Sequence, residues 1–233
     1  MDGDAFSASE LEENLLDLRF YNRWTGGIAV IEGALRGLTR RTPRGSRLRI
    51  LDVGAGGGDV AVALGTWARA RGHEPHVVAA DVCPRFLGHA RSRTPGGAAL
   101  HLCAADARAL PWKDGAFDVA CSSLMMHHLD AASIRLVLRE MRRVTRLGFV
   151  VLDLRRSVLS LSLLWILTRV TSRNRLTLHD GPLSVRRALT VAELRALASE
   201  ALGGPAAAGD GSLRVGVQGA ARLFITYTHA SPS

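Results

Sequence analysis

Lysine is almost missing from this 233-residue chain: among thirty basic side chains, Lys113 is the single lysine. The formal charge of +9 would ordinarily point to nucleic acid or an anionic membrane surface. A basic excess written almost wholly in arginine, beside abundant alanine and glycine, is instead what a GC-rich gene produces. The densest group, Arg135, Arg139, Arg142, Arg143 and Arg146, accompanies an apolar stripe of Ile134, Val137, Leu138, Met141 and Val144 at helical spacing, and so reads as a solvated helix face. Nucleic acid is therefore not an expected partner.

Cysteine is scarce as well. Cys83, Cys103 and Cys121 stand about twenty residues apart, which gives neither a closed disulfide set nor a metal-ligand spacing. Three buried thiols in a reducing cytoplasm, and no metal, are expected. The first residues carry Asp2, Asp4, Glu10, Glu12 and Glu13 rather than a basic region followed by an apolar one, so they are not expected to be a secretory signal. No apolar run reaches the roughly twenty residues a bilayer demands. The nearest, Ser157 to Thr171, is interrupted by serines and reads as a buried or lid helix rather than a membrane-surface one.

What the chain does have is alternation. LRILDV from Leu48, HVVAAD ending at Asp81, ALHLCAAD ending at Asp106, FDVACSS ending at Ser123 and GFVVLDL ending at Leu154 read as short apolar strands. Amphipathic helices fall between most of them, from about Asp59 to Arg71, Arg85 to Arg91, and through the arginine-rich stretch. This pattern predicts a doubly wound α/β domain with a mostly parallel sheet. A capping box at Thr190 to Glu193 opens a last helix, and Leu213 to Gln218 with Ala221 to Thr228 reads as an antiparallel hairpin at the sheet edge. A further capping box at Ser9 and a helical stretch from Ile28 toward Arg41 precede the sheet. The expected division is an N-terminal helical cap, 1–45, and one domain, 46–233, with a lid insertion around 155–189.

Ligands of such sheets lie beyond the carboxyl ends of the strands. That edge should receive Asp52, Gly54, Gly56 and Gly58 from the first strand, Asp81 from the second, Asp106 from the third, and Ser122 and Ser123 from the fourth, with His127 and His128 just after. Glycines at the strand-to-helix turn let a ligand approach the backbone. A dinucleotide fingerprint can be traced through Gly56, Gly58 and Ala61 with Asp81 further on, so an NAD(P)-dependent reductase competes. Asp52, leading into the turn, would sit badly beside a pyrophosphate and well beside a cationic ligand. Asp106 adds a third acid at the same edge.

Asp52-Val53-Gly54-Ala55-Gly56-Gly57-Gly58, Asp81, Ala105-Asp106-Ala107, Leu110-Pro111-Trp112, Gly115, Phe117-Asp118, the paired histidines, Glu140 and Arg143-Val144 together resemble the class I S-adenosylmethionine-dependent methyltransferases, over roughly residues 48 to 155. The resemblance implies a seven-stranded Rossmann-like sheet with S-adenosyl-L-methionine as cofactor. Asp52 and the Gly54 to Gly58 turn would hold the methionine moiety, Asp81 with Val82 the ribose side, Asp106 with Ala107 the adenine edge, and Ser122 the floor beneath the sulfonium. The chain departs from the family before the fifth strand, where Arg146-Leu147-Gly148-Phe149 replaces a Pro-Gly-Gly turn.

Asp52 alternatively caps the following helix, and Asp106 alternatively forms an Asx turn. His127 or His128 can act as a base toward a phenol or enol, or be a core histidine. In the tail, the segment Arg175 to Ala188 resembles one in methyltransferases of polyketide or quinone pathways. There His179 and Asp180 are a base with its orienting acid, or a turn. Phe20, Tyr21 and Trp24 with Val158 to Ile166 would cover a hydrophobic acceptor, or belong to the core. The expectation is a methyltransferase acting on a small hydrophobic molecule at a phenolic or enolic oxygen, in natural-product or quinone biosynthesis, as a monomer or homodimer without stable membrane insertion. A cofactor-binding protein without catalysis is the alternative of another class. A nucleic-acid methyltransferase is disfavoured because Ser122-Ser123-Leu124-Met125 lacks the Asn/Asp-Pro-Pro-aromatic motif.

Overall fold

The computed structural model describes residues 26–93, 100–171, 183–203 and 211–230. The Ser9 capping box, Phe20, Tyr21, Trp24, His179 and Asp180 lie outside the described residues. Helix α1 (Gly27–Leu38) leads into β1 (Arg47–Val53), α2 (Asp59–Ala70), β2 (Glu74–Asp81), α3 (Pro84–Arg93), β3 (Leu100–Ala104) and β4 (Phe117–Ser123). After a 3-10 turn over Met126–His128 come α4 (Ala131–Val144), β5 (Thr145–Leu154), α5 (Val158–Thr171), α6 (Val191–Leu202), β6 (Gly211–Gln218) and β7 (Arg222–His229).

The strands form one seven-stranded sheet in the order β3-β2-β1-β4-β5-β7-β6. The first five are parallel; β7 runs antiparallel to β5, and β6 to β7. This is the Rossmann-like arrangement expected from the alternation, including the edge hairpin. Chain order reverses between β1 and β4, which opens a crevice at their carboxyl ends.

Side chains alternate across the strands, and the two cores follow that parity. Ile50, Val77, Val119 and Val150 pack under Ile31 of α1 and Leu64 of α2. Leu51, Val78, Ala120 and Phe149 pack under Val137 of α4 and Leu197 of α6. Asp52 therefore shares the α2 face, whereas Asp153 shares the α4 face.

Three expectations need correction. The arginine-rich helix does not present a simply solvated face. Arg143 donates to the carbonyls of Leu110 and Trp112 and pairs with Glu140 and Asp114, while Glu140 accepts the Leu110 amide at 2.8 Å. These residues clamp the β3–β4 connection, Arg135 pairs with Glu200, and Arg142 lies over the Tyr227 ring. An amphipathic pattern says which side is apolar but not that the polar side stays wet. Only Cys121 is buried, Cys83 and Cys103 being half-buried. Finally, of the two alternatives for α5, burial fails and the lid reading is left standing: Val158, Leu159, Leu163, Trp165 and Ile166 are exposed, and Ser160 anchors its first turn by donating to the Ala220 carbonyl. Hydrophobicity alone does not place a helix against the sheet.

At the departure from the family before β5 there is no separate turn. Helix α4 passes directly into β5, Thr145 donating its hydroxyl to the Met141 carbonyl and Arg146 pairing with Asp118 across to β4. Gly148 takes a φ of 142°, and a Cβ there would lie 2.0 Å from the Tyr227 carbonyl oxygen of β7. Gly148→Ala must push two paired strands apart, and an expected loss of at least ~2 kcal/mol should appear in chemical denaturation. Wild-type stability in that variant would rule this packing out.

Candidate active site at the carboxyl edge of the sheet

Three of the four glycines of the first turn, Gly54, Gly56 and Gly58, do different work. All have left-handed backbone, at φ 70°, 51° and 75° for Gly54, Gly56 and Gly58. A Cβ on Gly54 would fall 2.4 Å from Met125 Sδ, and one on Gly58 would fall 3.0 Å from Ala90 Cβ of α3. Those two glycines admit protein neighbours. A Cβ on Gly56 would meet nothing within 4 Å, so Gly56 alone opens onto space where a ligand can lie against the backbone.

Asp81 sits beside that opening, nearly buried. Its Oδ2 accepts the Gly56 amide at 2.8 Å and its Oδ1 the Cys83 amide at 2.9 Å. The carboxylate thereby joins the β1–α2 and β2–α3 turns, and each oxygen keeps acceptor capacity for a ligand hydroxyl. Val82, directly after it, is exposed and offers an apolar wall.

Asp52 is buried on the α2 face, where Cys121 Sγ donates to its Oδ1 at 3.4 Å. Burial drives the Asp52 carboxyl up to about 7, the Cys121 contact opposing this and the charges of Asp59 and Asp81 reinforcing it. Among the described residues, Asp52 Oδ2 and the buried hydroxyls of Ser122 and Ser123 have no hydrogen-bond partner. Buried polar atoms of this kind are ordinarily satisfied. Their place at the ends of β1 and β4, beside an open glycine, fits a polar, positively charged ligand.

Asp106 stands apart from this pair. It is partly exposed, accepts the Arg108 amide at 2.9 Å, and is gripped by the Arg108 guanidinium, which holds its carboxyl below the usual range. Both the Asx-turn geometry and an acidic group at the edge are therefore present together, with Ala107 between the two partners.

The two histidines separate. His127 is buried, its Nδ1 2.6 Å from Asp153 Oδ1, and its backbone amide donates to Asp153 Oδ2 at 3.2 Å. His128 has an exposed edge and lies with its ring 4.0 Å from that of His127, tilted by 43°. Lost hydration on the packed face, with the His127 charge, lowers His128 to about 4, so it is a neutral ring at neutral pH. The turn carrying both follows Met125, which touches Gly54, and Leu124, whose φ of 57° is strained for a non-glycine residue.

Sequence reasoning missed Asp153, although an acid closing the apolar strand GFVVLDL is the same signal that picked out Asp52 and Asp81. It also missed Cys121 as the partner of Asp52, and Met125. Among the described residues no group of three or more His, Cys, Asp or Glu side chains could hold a metal ion, and no helix is long and apolar enough to cross a membrane.

The raised Asp52 value carries a stability consequence. The folded protein keeps a proton that the unfolded chain releases between 3.8 and about 7, so stability falls as pH rises through that window. Asp52→Asn is expected to be more stable than wild type above that window, by ~1–4 kcal/mol, as denaturation at acidic and alkaline pH would measure. Equal stabilities at both would show that the carboxyl is not held protonated.

Residues 50–148 match the family described as a methyltransferase domain. A malonyl-[acyl-carrier protein] O-methyltransferase from Erwinia pyrifoliae is 39% identical over 104 residues, 45% of this chain and 36% of that protein. An uncharacterized methyltransferase from Synechocystis is 29% identical over 110 residues, 46% of this chain and 48% of that one. The chain thus spans from about a third to a half of the length of these curated relatives. Among solved structures, the plantazolicin methyltransferase BpumL in complex with SAH superposes with a TM-score of 0.70 at 13% identity, covering 98% of this chain and 91% of that one. The SAH-bound magnesium protoporphyrin IX methyltransferase of Synechocystis gives 0.56 at 13% identity, covering 88% and 84%. The family match over residues 50–148 agrees with the methyl-donor reading of the glycine turn, and the solved structures share the fold.

Proposed function

We propose that this chain, whose residues 50–148 form a methyltransferase domain, methylates a small hydrophobic acceptor at a phenolic or enolic oxygen with S-adenosyl-L-methionine as donor. The observation that carries the reading is a neutral, exposed-edged His128 on the same carboxyl edge as Asp52, Asp81 and the open Gly56. When bound, the donor would supply a sulfonium-activated methyl group, transferred in line to an oxygen nucleophile as the thioether S-adenosylhomocysteine leaves.

The chain's own residues then have separable tasks. Asp81 accepts the ribose hydroxyls with Val82 alongside, and Asp106 and Ala107 border the adenine. Asp52, behind Gly54 and Gly56, balances the positive charge of the methionine end, and the Ser122 hydroxyl lines the floor. Loading a cation beside Asp52 favours its ionised form. His128 takes the hydroxyl proton as the oxygen attacks, since a neutral imidazole can accept it where an imidazolium cannot. His127 is held away from that task by Asp153. Tyr21, Trp24, His179 and Asp180 are proposed to contribute to acceptor binding.

A second reading follows from the name of the Erwinia relative, whose acceptor is a malonyl group: a carboxylate oxygen. Such an acceptor is already ionised and needs no base. Incubation with labelled donor and extracts of the source cell, followed by mass spectrometry, tests both readings. A methylated phenol or enol is expected; a methyl ester would replace the first reading with the second. Tight donor binding with no labelled product from any acceptor would leave a cofactor-binding protein without catalysis.

A further inference from the structure

We infer that Asp153 is a positioning residue for the proton acceptor, holding the His127 ring as the platform against which the tilted His128 ring packs. This deepens the reading of His128 given above and rests on it. Asp153 lies at the penultimate position of β5, on the α4 face, and is buried. It receives three donors: His127 Nδ1 at 2.6 Å, the His127 amide at 3.2 Å and the Leu154 amide at 2.6 Å.

Burial works to raise the Asp153 carboxyl, but the His127 charge and these hydrogen bonds outweigh it, so the group stays ionised. An ionised carboxylate only accepts, and Nδ1 of His127 therefore carries the proton. The grip is on ring and backbone of one residue at once. It fixes the ring torsions of His127 together with the peptide that joins Met126 to His127. The His128 ring, 4.0 Å away, has its tilt set by that surface.

An arginine supports the arrangement. Arg222, at the start of β7 and paired in register with Leu154, is buried, and the Asp153 charge acts on it. A buried carboxylate costs heavily unless charges and hydrogen bonds compensate it. Among the described residues, the charges acting on the His128 ring are those of His127, Asp153 and Arg187. An apolar contact could join β5 to the 3-10 turn, but it would not orient an imidazole.

The test combines nitrogen-15 spectroscopy of the wild-type protein with kinetics of Asp153→Asn and Asp153→Ala. Wild-type spectra are expected to show His127 as the Nδ1–H tautomer with a slowly exchanging ring proton. Asp153→Ala should lower kcat by about 100-fold, the scale of a misaligned reacting group. Asp153→Asn, which retains an acceptor oxygen, should recover part of that loss, with acceptor KM and S-adenosylhomocysteine affinity unchanged in both. A folded Asp153→Ala with wild-type kcat would overturn the inference, as would a loss confined to KM. If neither variant folds, an Nε2–H tautomer or a freely rotating His127 ring in the wild-type spectra would overturn it alone. Full turnover by His128→Gln, with the wild-type His127 tautomer as expected, would instead overturn the underlying assignment of the base.

Discussion

Asp81→Ala is expected to weaken S-adenosylhomocysteine binding by ~100-fold or more in calorimetry, the sum of two hydrogen bonds to a charged group at about 1.5–3 kcal/mol each. Two effects add in the same direction. The ribose hydroxyls lose a charged acceptor, and the Gly56 and Cys83 amides lose the carboxylate that joins their turns. Asp81→Asn separates them, because it keeps one acceptor oxygen for an amide while removing the charge. An intermediate affinity is expected for Asn. Binding by Asp81→Ala as tight as wild type would show that the donor does not use this edge.

His128→Ala is expected to lower kcat by ~10²–10⁴, the range of a positioned general base, while leaving donor affinity in place. Because His128 works in its neutral form and titrates at about 4, wild-type turnover should rise through that pH and then stay level across neutrality. The variant should lose this acidic limb along with its rate. An unchanged rate on a phenolic acceptor would exclude His128 as the base. An unchanged rate on a carboxylate acceptor is what a base-free ester-forming reaction requires.

The alternation of apolar strands and amphipathic helices was enough to place five parallel strands and the final hairpin, because each strand's length and parity are local properties. Their ends were enough to nominate Asp52, Asp81, Ser122 and the histidines, since a parallel sheet delivers all its carboxyl ends to one edge. The failures have a common cause. Exposure of α5, engagement of Arg143 with the β3–β4 connection, and the direct passage of α4 into β5 all depend on what lies opposite a residue, which no local pattern encodes.

LDVGAGGGDVA by itself determined that the backbone must turn sharply after β1 and that an acid leads into the turn. Only the tertiary structure decided which glycine serves a ligand: Gly54 yields to Met125, Gly58 to Ala90, and Gly56 remains open. The same holds for the histidine pair. Adjacent in the chain, His127 and His128 are chemically alike until Asp153, 26 residues away along the chain from His127, binds one ring, while burial of its packed face keeps the other neutral at the rim. Pairing at that separation is set by strand order and by the cost of burying an unpartnered carboxylate, and both exist only once the sheet has formed.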